Sequence, residues 1–258
     1  MDIELLGFFL ELYLLLIAVA VFAGAIDAIA GGGGLITVPV LLAAGLSPAE
    51  ALATNKLQGC AGTLSASAHF IKTGQVDLSK MWLAIIMTAI GSVVGTLLVS
   101  YLDSKALIKI IPVILILVAV FFFFLPKLQP YVASKVSLSQ TAFALIIGSS
   151  IGFYDGLIGP GTGAFFSTAY LCFMGATLIT ATAQTKVLNA TSNVSSLFIF
   201  AFTGNIIWGL GIAMGAGQWV GAQVGSRLVI TKGSKLIRPM VIMMCLAISV
   251  KLILDHWQ

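Results

Sequence analysis

Apolar positions along this chain come in long runs, not at the spacing of a helix with one wet face. Residues 12–30, 81–102, 107–125, 206–230 and 236–254 are near-continuous stretches of Leu, Ile, Val, Ala, Phe and Gly. A hydrocarbon core of about 30 Å takes about 20 residues of helix, so each run is long enough to cross. Residues 141–158 form a further apolar run, while 49–71 and 179–202 read as helices rich in small residues. Two short apolar pieces, 35–46 and 164–176, follow glycine-rich breaks at 31–34 and 159–163. The first, at 12 residues, reaches only about 18 Å as a helix, too short to span.

The pattern occurs twice. Asn55-Lys56 through Thr73-Gly74 slides onto Thr185-Lys186 through Thr203-Gly204 with a shift of 130 and no gap. The same shift matches Gly45 to Gly175, Gly91 to Gly221, Gly95 to Gly225 and Ser104-Lys105 to Ser234-Lys235. Upstream the shift is 128, where Gly24-Ala25-Ile26-Asp27 meets Gly152-Phe153-Tyr154-Asp155 and Gly31 meets Gly159. A duplicated and fused gene accounts for this, with 1–126 as the first repeat, 127–138 as a connecting loop and 139–258 as the second repeat. The expected fold is all-α: a polytopic membrane bundle of two inverted five-segment repeats, with broken or half-length helices at the glycine motifs. Such paired, glycine-interrupted segments point to a transporter binding site.

Composition agrees. Of 258 residues, 59% are hydrophobic and 9% charged, whereas a soluble domain of ordinary composition carries about 25% charged residues. The acidic start, Met1-Asp2-Ile3-Glu4, argues against a cleaved signal. Cys60, Cys172 and Cys245 lie apart in apolar runs, so neither a metal site, a disulfide framework nor a cofactor is expected. The net charge of +4 sits in short loops between spans, which fits the bilayer as partner and not nucleic acid.

Loop charge bears on orientation. With the short piece counted as a net crossing, each half has five segments and the second half inverts. Lys72, Lys80, Lys127, Lys135, Arg227, Lys232, Lys235 and Arg238 then share one side. Lys105 and Lys109 fall on the other, with Asp2, Glu4, Asp103 and Asp255. If the short piece is a hairpin, four crossings per half divide the eight cations four and four. The positive-inside rule favours inversion, with both termini outside the cytoplasm.

Charges within spans cost about 2.5–3.5 kcal/mol each even on the lenient insertion scale, so they are functional candidates. Four recur at matched positions: Asp27 and Lys56, then Asp155 and Lys186. Asn55 and Thr185 precede the lysines, and Gln58, Gln184, Asn189 and Asn193 add amides. One reading makes Lys56 and Lys186 ligands of a small anion. Backbone N–H groups of Gly32, Gly33, Gly34, Gly161, Thr162 and Gly163, at the start of each short helix, would assist them. The competing reading makes Asp27–Lys56 and Asp155–Lys186 structural pairs within each half, and the aspartates are also candidates for a coupling proton. Lys56, near the start of its helix, could instead snorkel to the interface. Gly91-x-x-x-Gly95 and Gly217-x-x-x-Gly221-x-x-x-Gly225 read as close-packing surfaces. His69 reads as a structural residue near a helix end.

The segment from Gly24 to Pro39, with its Asp27 and four glycines, and Ala51 to Gln58 resemble the TauE/SafE sulfite exporter family of bacterial membrane proteins. Gly152 to Gly163, Lys186 to Asn193 and Gly225 to Val229 are similar to the same family, in its YfcA-like branch. The resemblance covers nearly the whole chain. It implies a secondary transporter in the inner membrane that moves sulfite, sulfonates or related anions. Pro160 and Thr162 have no counterparts in the first glycine turn, so the two half-sites are not equivalent. A passive anion channel is the nearer alternative. An intramembrane enzyme is the more distant one, since neither H-E-x-x-H nor G-x-S-x-G occurs. Oligomeric state is left open, a homodimer being one arrangement.

Overall fold

A computed structural model describes residues 3–132 and 138–232; the expected last span at 236–254 lies outside the described residues. Among the described residues every regular element is helical. Helix α1 (Ile3–Ala30) stops at Gly31, whose φ of +75° suits glycine and turns the chain. Helix α2 (Gly33–Ala43) follows, then α3 (Pro48–Lys72), α4 (Leu78–Ser100) and α5 (Ser104–Val132). Helix α5 thus carries on into the residues read as connecting loop.

The second half repeats this order. A rod built from α6 (Gln140–Ala142), a π-helical segment (Phe143–Gly148) and α7 (Ser149–Leu157) breaks at Gly159, where φ is +92°. Helices α8 (Thr162–Phe173), α9 (Leu178–Thr203) and α10 (Trp208–Lys232) follow. Helices α9 and α10 begin 130 residues after α3 and α4. The caps repeat as well: the Ser47 hydroxyl accepts from Glu50 N at the start of α3, and Thr177 accepts from Thr180 N at the start of α9. The two-residue difference between the repeats divides evenly, one residue in the second glycine turn and one in α8, which has 12 residues against 11 in α2.

The short helices double back. The Tyr170 ring of α8 stacks on Phe143 at 4.5 Å and Phe165 meets Tyr154 at 5.2 Å, so α8 retraces the rod before it. Leu138 N then donates to the carbonyl of Phe173 at 2.9 Å, closing the hairpin at its origin. In the first half Gly33 lies against Ala23 and Asp27, and Leu41 shares a cluster with Leu16 and Ala20. The short piece is therefore one limb of a hairpin and not the onward crossing expected from the sequence. Its physical cause is the positive-φ glycine at each break, Gly31 and Gly159, which turns the chain where a residue in helical conformation would have carried it on.

The halves interlock through glycine. Helix α1 runs parallel to α10, with Gly217, Gly221 and Gly225 seated on the carbonyls of Ile17, Val21 and Ala25. Helix α4 runs parallel to α7, where Gly91 and Gly95 meet Ser149 and Phe153, and Gly152 and Gly156 meet Thr88 and Ser92. A methyl group at these glycines would fall on backbone, so the small residues set the approach. Helices α3 and α9 cross at the centre in opposite senses. Asn193 lies against Gly59 and Thr63, while Ile207, just past α9, donates to Thr54 nearer the start of α3.

Polarity is reversed relative to a water-soluble protein. Asp27, Lys56, Gln58, Asp155, Lys186 and Asn193 are buried, while Trp82, Ile90, Val94, Phe202, Ile212 and Val220 face outward. A contiguous apolar exterior of this kind belongs against lipid. Glu11–Ala30 and Leu78–Ser100 are long and apolar enough to cross a membrane.

The glycine interlock makes a direct prediction. Gly221→Ala should destabilise the protein by about 1–3 kcal/mol or more through overpacking against Val21. Gly209→Ala, with nothing within 4 Å of the added methyl, should stay within about 1 kcal/mol of wild type. Thermal melts in detergent, read by size-exclusion chromatography, compare the two; equal losses would contradict the packing described.

Candidate functional site

The two glycine turns meet at the centre of the molecule. Gly31 and Gly163 touch backbone to backbone, and a side chain on Gly34 would contact Pro160 at 3.4 Å. Each turn leaves a helix C-terminus with free carbonyls on one side and a helix N-terminus with free N–H groups on the other. The four charged side chains are distributed accordingly.

Asp27, in the last turn of α1, accepts from Gly33 N at the start of α2 at 3.2 Å through Oδ1. Its Oδ2 accepts from Lys186 Nζ at 2.9 Å, and the same ammonium donates to the Asp27 carbonyl. Asp155, in α7, accepts from Lys56 Nζ at 3.0 Å and from the Thr162 hydroxyl at 2.8 Å through Oδ1. Its Oδ2 accepts from the Ser192 hydroxyl. Lys56 also donates to Asn193 Oδ1 at 3.3 Å. Each lysine thus reaches across to the negative end of the other half's broken helix, and each carboxylate turns toward the positive end of the short helix that follows it.

The pairing corrects one expectation. The ion pairs are Asp27–Lys186 and Asp155–Lys56, not Asp27–Lys56 and Asp155–Lys186. The opposite directions of α3 and α9 carry each lysine away from its own half's turn. Nor does Lys56 snorkel: the side chains of Lys56 and Lys186 are 2% and 1% exposed.

A cavity of about 20 Å³ lies between the two pairs, lined by polar residues and glycines alone. Room of that size suits about one water molecule. Of the residues expected from the sequence, Asp27, Gly34, Asn55, Asp155, Gly161, Thr162, Gly163, Asn189 and Asn193 line it. The lysines stand behind the carboxylates. Gly33 contributes through its N–H, and Gly32 is the residue that caps α2. Three more candidates also lie off the cavity lining. Gln58 donates to Asn55 Oδ1 at 3.2 Å, behind the wall. Thr185 accepts from Ser167 at 3.1 Å, the counterpart of the Thr37–Asn55 bond at 2.6 Å. Gln184 faces a separate recess with Lys80 and Tyr170, because it falls on a different face of α9.

Several residues of the site escaped the sequence reading. Gln218 on α10 lines the cavity, and its Oε1 has no hydrogen-bond partner among the described residues. An amide in a mostly apolar, glycine-rich run was the available signal, shared with Gln223 five residues on. Thr63, the counterpart of Asn193 under the shift of 130, also escaped it; its hydroxyl accepts from the Asn193 amide at 3.4 Å where α3 and α9 cross.

Buried, crosswise-paired charges at two facing helix breaks inside an apolar shell fit an integral membrane protein, and the relatives of the chain are membrane transporters. Residues 16–252 match the family described as Sulfite exporter TauE/SafE, and the chain belongs to that family. It is 47% identical over 246 residues to "Probable membrane transporter protein YfcA" of Escherichia coli K12, covering 93% of this chain and 91% of that protein. A "Probable membrane transporter protein" of Haemophilus influenzae is 43% identical over 247 residues, covering 96% of each. One from Sinorhizobium, "Probable membrane transporter protein ORF9", is 41% identical over 240 residues, covering 93% of this chain and 92% of its own. No solved structure matches the chain.

Crosswise pairing predicts which double substitutions compensate. Lys56→Gln strands a buried carboxylate and should cost about 3–5 kcal/mol. Adding Asp155→Asn should recover most of that loss, whereas adding Asp27→Asn should strand Lys186 as well and deepen it. Melting temperatures of the single and two double variants decide; rescue by Asp27→Asn would refute the pairing.

Proposed function

We propose that the protein is a secondary transporter that moves small sulfur-containing oxyanions, sulfite or sulfonates, by alternating access around the central pairs. The observation that carries this reading is the state of the anion-binding groups. The lysine ammoniums, the Gly33 N–H and the Thr162 hydroxyl are those an oxyanion would seek, and Asp27 and Asp155 engage them. Each carboxylate is in effect a tethered anion. A cavity of about 20 Å³ admits a substrate only when the pairs part. Substrate entry is then an exchange: the external oxyanion takes the ammonium and N–H donors as the carboxylate withdraws. Protonation of the aspartate favours that withdrawal, because a neutral carboxyl gives up its attraction for lysine. Proton and anion thereby become coupled at one place.

The helix directions support an inverted relation between the halves. Equivalent helices α3 and α9 run oppositely, and exchanging the halves maps the α1–α10 contact onto α7–α4. With α1 and α2 counted together as one hairpin that does not cross, three long helices, α3, α4 and α5, remain in the first half, still an odd number. Two such halves rocking about the paired turns would open the site alternately to each side. The family's description supports sulfite as the substrate, and the site's chemistry is compatible with it. We place the protein in the bacterial inner membrane with both termini on the non-cytoplasmic side, as the loop cations suggest.

Sulfite flux into proteoliposomes, measured with and without a proton gradient, tests this reading. Wild type should show saturable flux that responds to the gradient. Lys56→Gln/Asp155→Asn and Lys186→Gln/Asp27→Asn, which keep the interior neutral, should lose at least about tenfold in flux, the effect of removing a charge-assisted hydrogen bond. Asp27→Asn should retain anion binding while losing its response to the gradient. Non-saturating, voltage-driven flux would favour a channel. Unchanged sulfite affinity in both lysine variants would remove the lysines from the site.

A further inference from the structure

A second polar feature lies away from the central site, in the groove between the C-terminal parts of α3 and α10. The two helices run parallel there, Ser65 donating to the Trp219 carbonyl at 3.4 Å. Beyond that contact they enclose a cavity of about 300 Å³, far larger than the central one. One face of α3 supplies His69 and Lys72, and one face of α10 supplies Trp219, Gln223 and Arg227. The Nε2 of His69 is shielded from solvent yet has no hydrogen-bond partner among the described residues. Lys72 and Arg227 are exposed, and neither meets a carboxylate at ion-pair distance among the described residues.

The internal repeat supplies a control. Helices α9 and α4 pack parallel in the same manner, Ser92 and Thr96 lying against Ser192 and Ser196. At the equivalent positions that groove carries Ile199 and Phe202 in place of His69 and Lys72, and Val93 and Leu97 in place of Gln223 and Arg227. The fold therefore does not need a basic lining. A basic residue in a helix's last turn offsets the dipole, and that accounts for Lys72. It does not account for Arg227, further from the described end of α10, nor for an unpartnered His69 converging on the same cavity.

We infer that this groove binds the phosphodiester headgroup of an anionic phospholipid. Two cations and a ring N–H provide charge-assisted donors for phosphate oxygens. Trp219, 44% exposed near the middle of α10, flanks the groove on its apolar side. Leu64, Val220 and Val224 face outward on the flanking surface of the same two helices, where acyl chains would lie. Basic pockets between spans near an anionic leaflet attract such headgroups. The apolar flank favours a lipid over free phosphate, which would have no use for it.

Mass spectrometry of the intact full-length protein, with phosphatidylglycerol or phosphatidylcholine added, tests the inference. Wild type and Lys80→Gln, whose exposed cation lies elsewhere, should both retain phosphatidylglycerol. Lys72→Gln/Arg227→Gln should retain it about 25-fold less, given roughly fivefold for each of the two cations at a membrane surface. Phosphatidylcholine should bind weakly to all three. Equal phosphatidylglycerol retention by the double variant would overturn the proposal. So would millimolar inorganic phosphate displacing the lipid while itself depending on Lys72 and Arg227, which would assign the groove to a soluble anion. Should the double variant misfold, photoreactive phosphatidylglycerol on wild type decides: labels on residues 64–72 and 219–228 support the site, and labels confined elsewhere overturn it.

Discussion

Four charges held out of both water and lipid constrain everything else in this molecule. A lone ammonium or carboxylate in such an interior is prohibitively costly, and the cost falls only when opposite charges meet with their remaining hydrogen bonds satisfied. Here both pairs draw one member from each half. The halves must therefore come together for either to bury its charges. The glycine faces of α1, α4, α7 and α10 allow backbones close enough for those side chains to reach. Helix ends complete the arrangement: the end of α1 presents the Asp27 carbonyl to Lys186, and the start of α2 presents the Gly33 N–H to Asp27.

Most of the scaffold could be read from the chain. The runs of apolar residues located the long helices, and a fixed shift located their counterparts, because duplication preserves glycine and cap positions as well as hydropathy. Asp27, Lys56, Asp155 and Lys186 announced themselves as charges in apolar surroundings. Partner choice did not, since both pairings satisfy the same composition. Which lysine meets which aspartate depends on the direction of α3 relative to α9, a tertiary fact. The hairpin geometry of α2 and α8 was hidden for a related reason: a glycine break looks the same whether the chain goes on or turns back.

Amides were the least legible part of the site. Gln58, Gln184 and Gln218 carry the same group in similar sequence surroundings, yet only Gln218 reaches the cavity lining. The helical face decides among them, and in helices buried on several sides no stripe of polar residues marks that face. The asymmetry between the turns has a visible basis. Thr162 offers a hydroxyl to Asp155 where the first turn offers the Gly33 N–H to Asp27. The two carboxylates therefore sit in related but unequal cradles.

Crosswise pairing also bears on how the chain is made. Asp27 lies 159 residues ahead of Lys186, and Lys56 lies 99 ahead of Asp155. At roughly 5–20 residues per second of synthesis, Asp27 waits on the order of ten seconds or more for its partner. During that interval the newly inserted first half holds an acid and a base whose final companions do not yet exist. Assembly in the bilayer is thus tied to completion of translation, and a prematurely ended chain carries unmet charge as a mark by which quality-control proteases could recognise it.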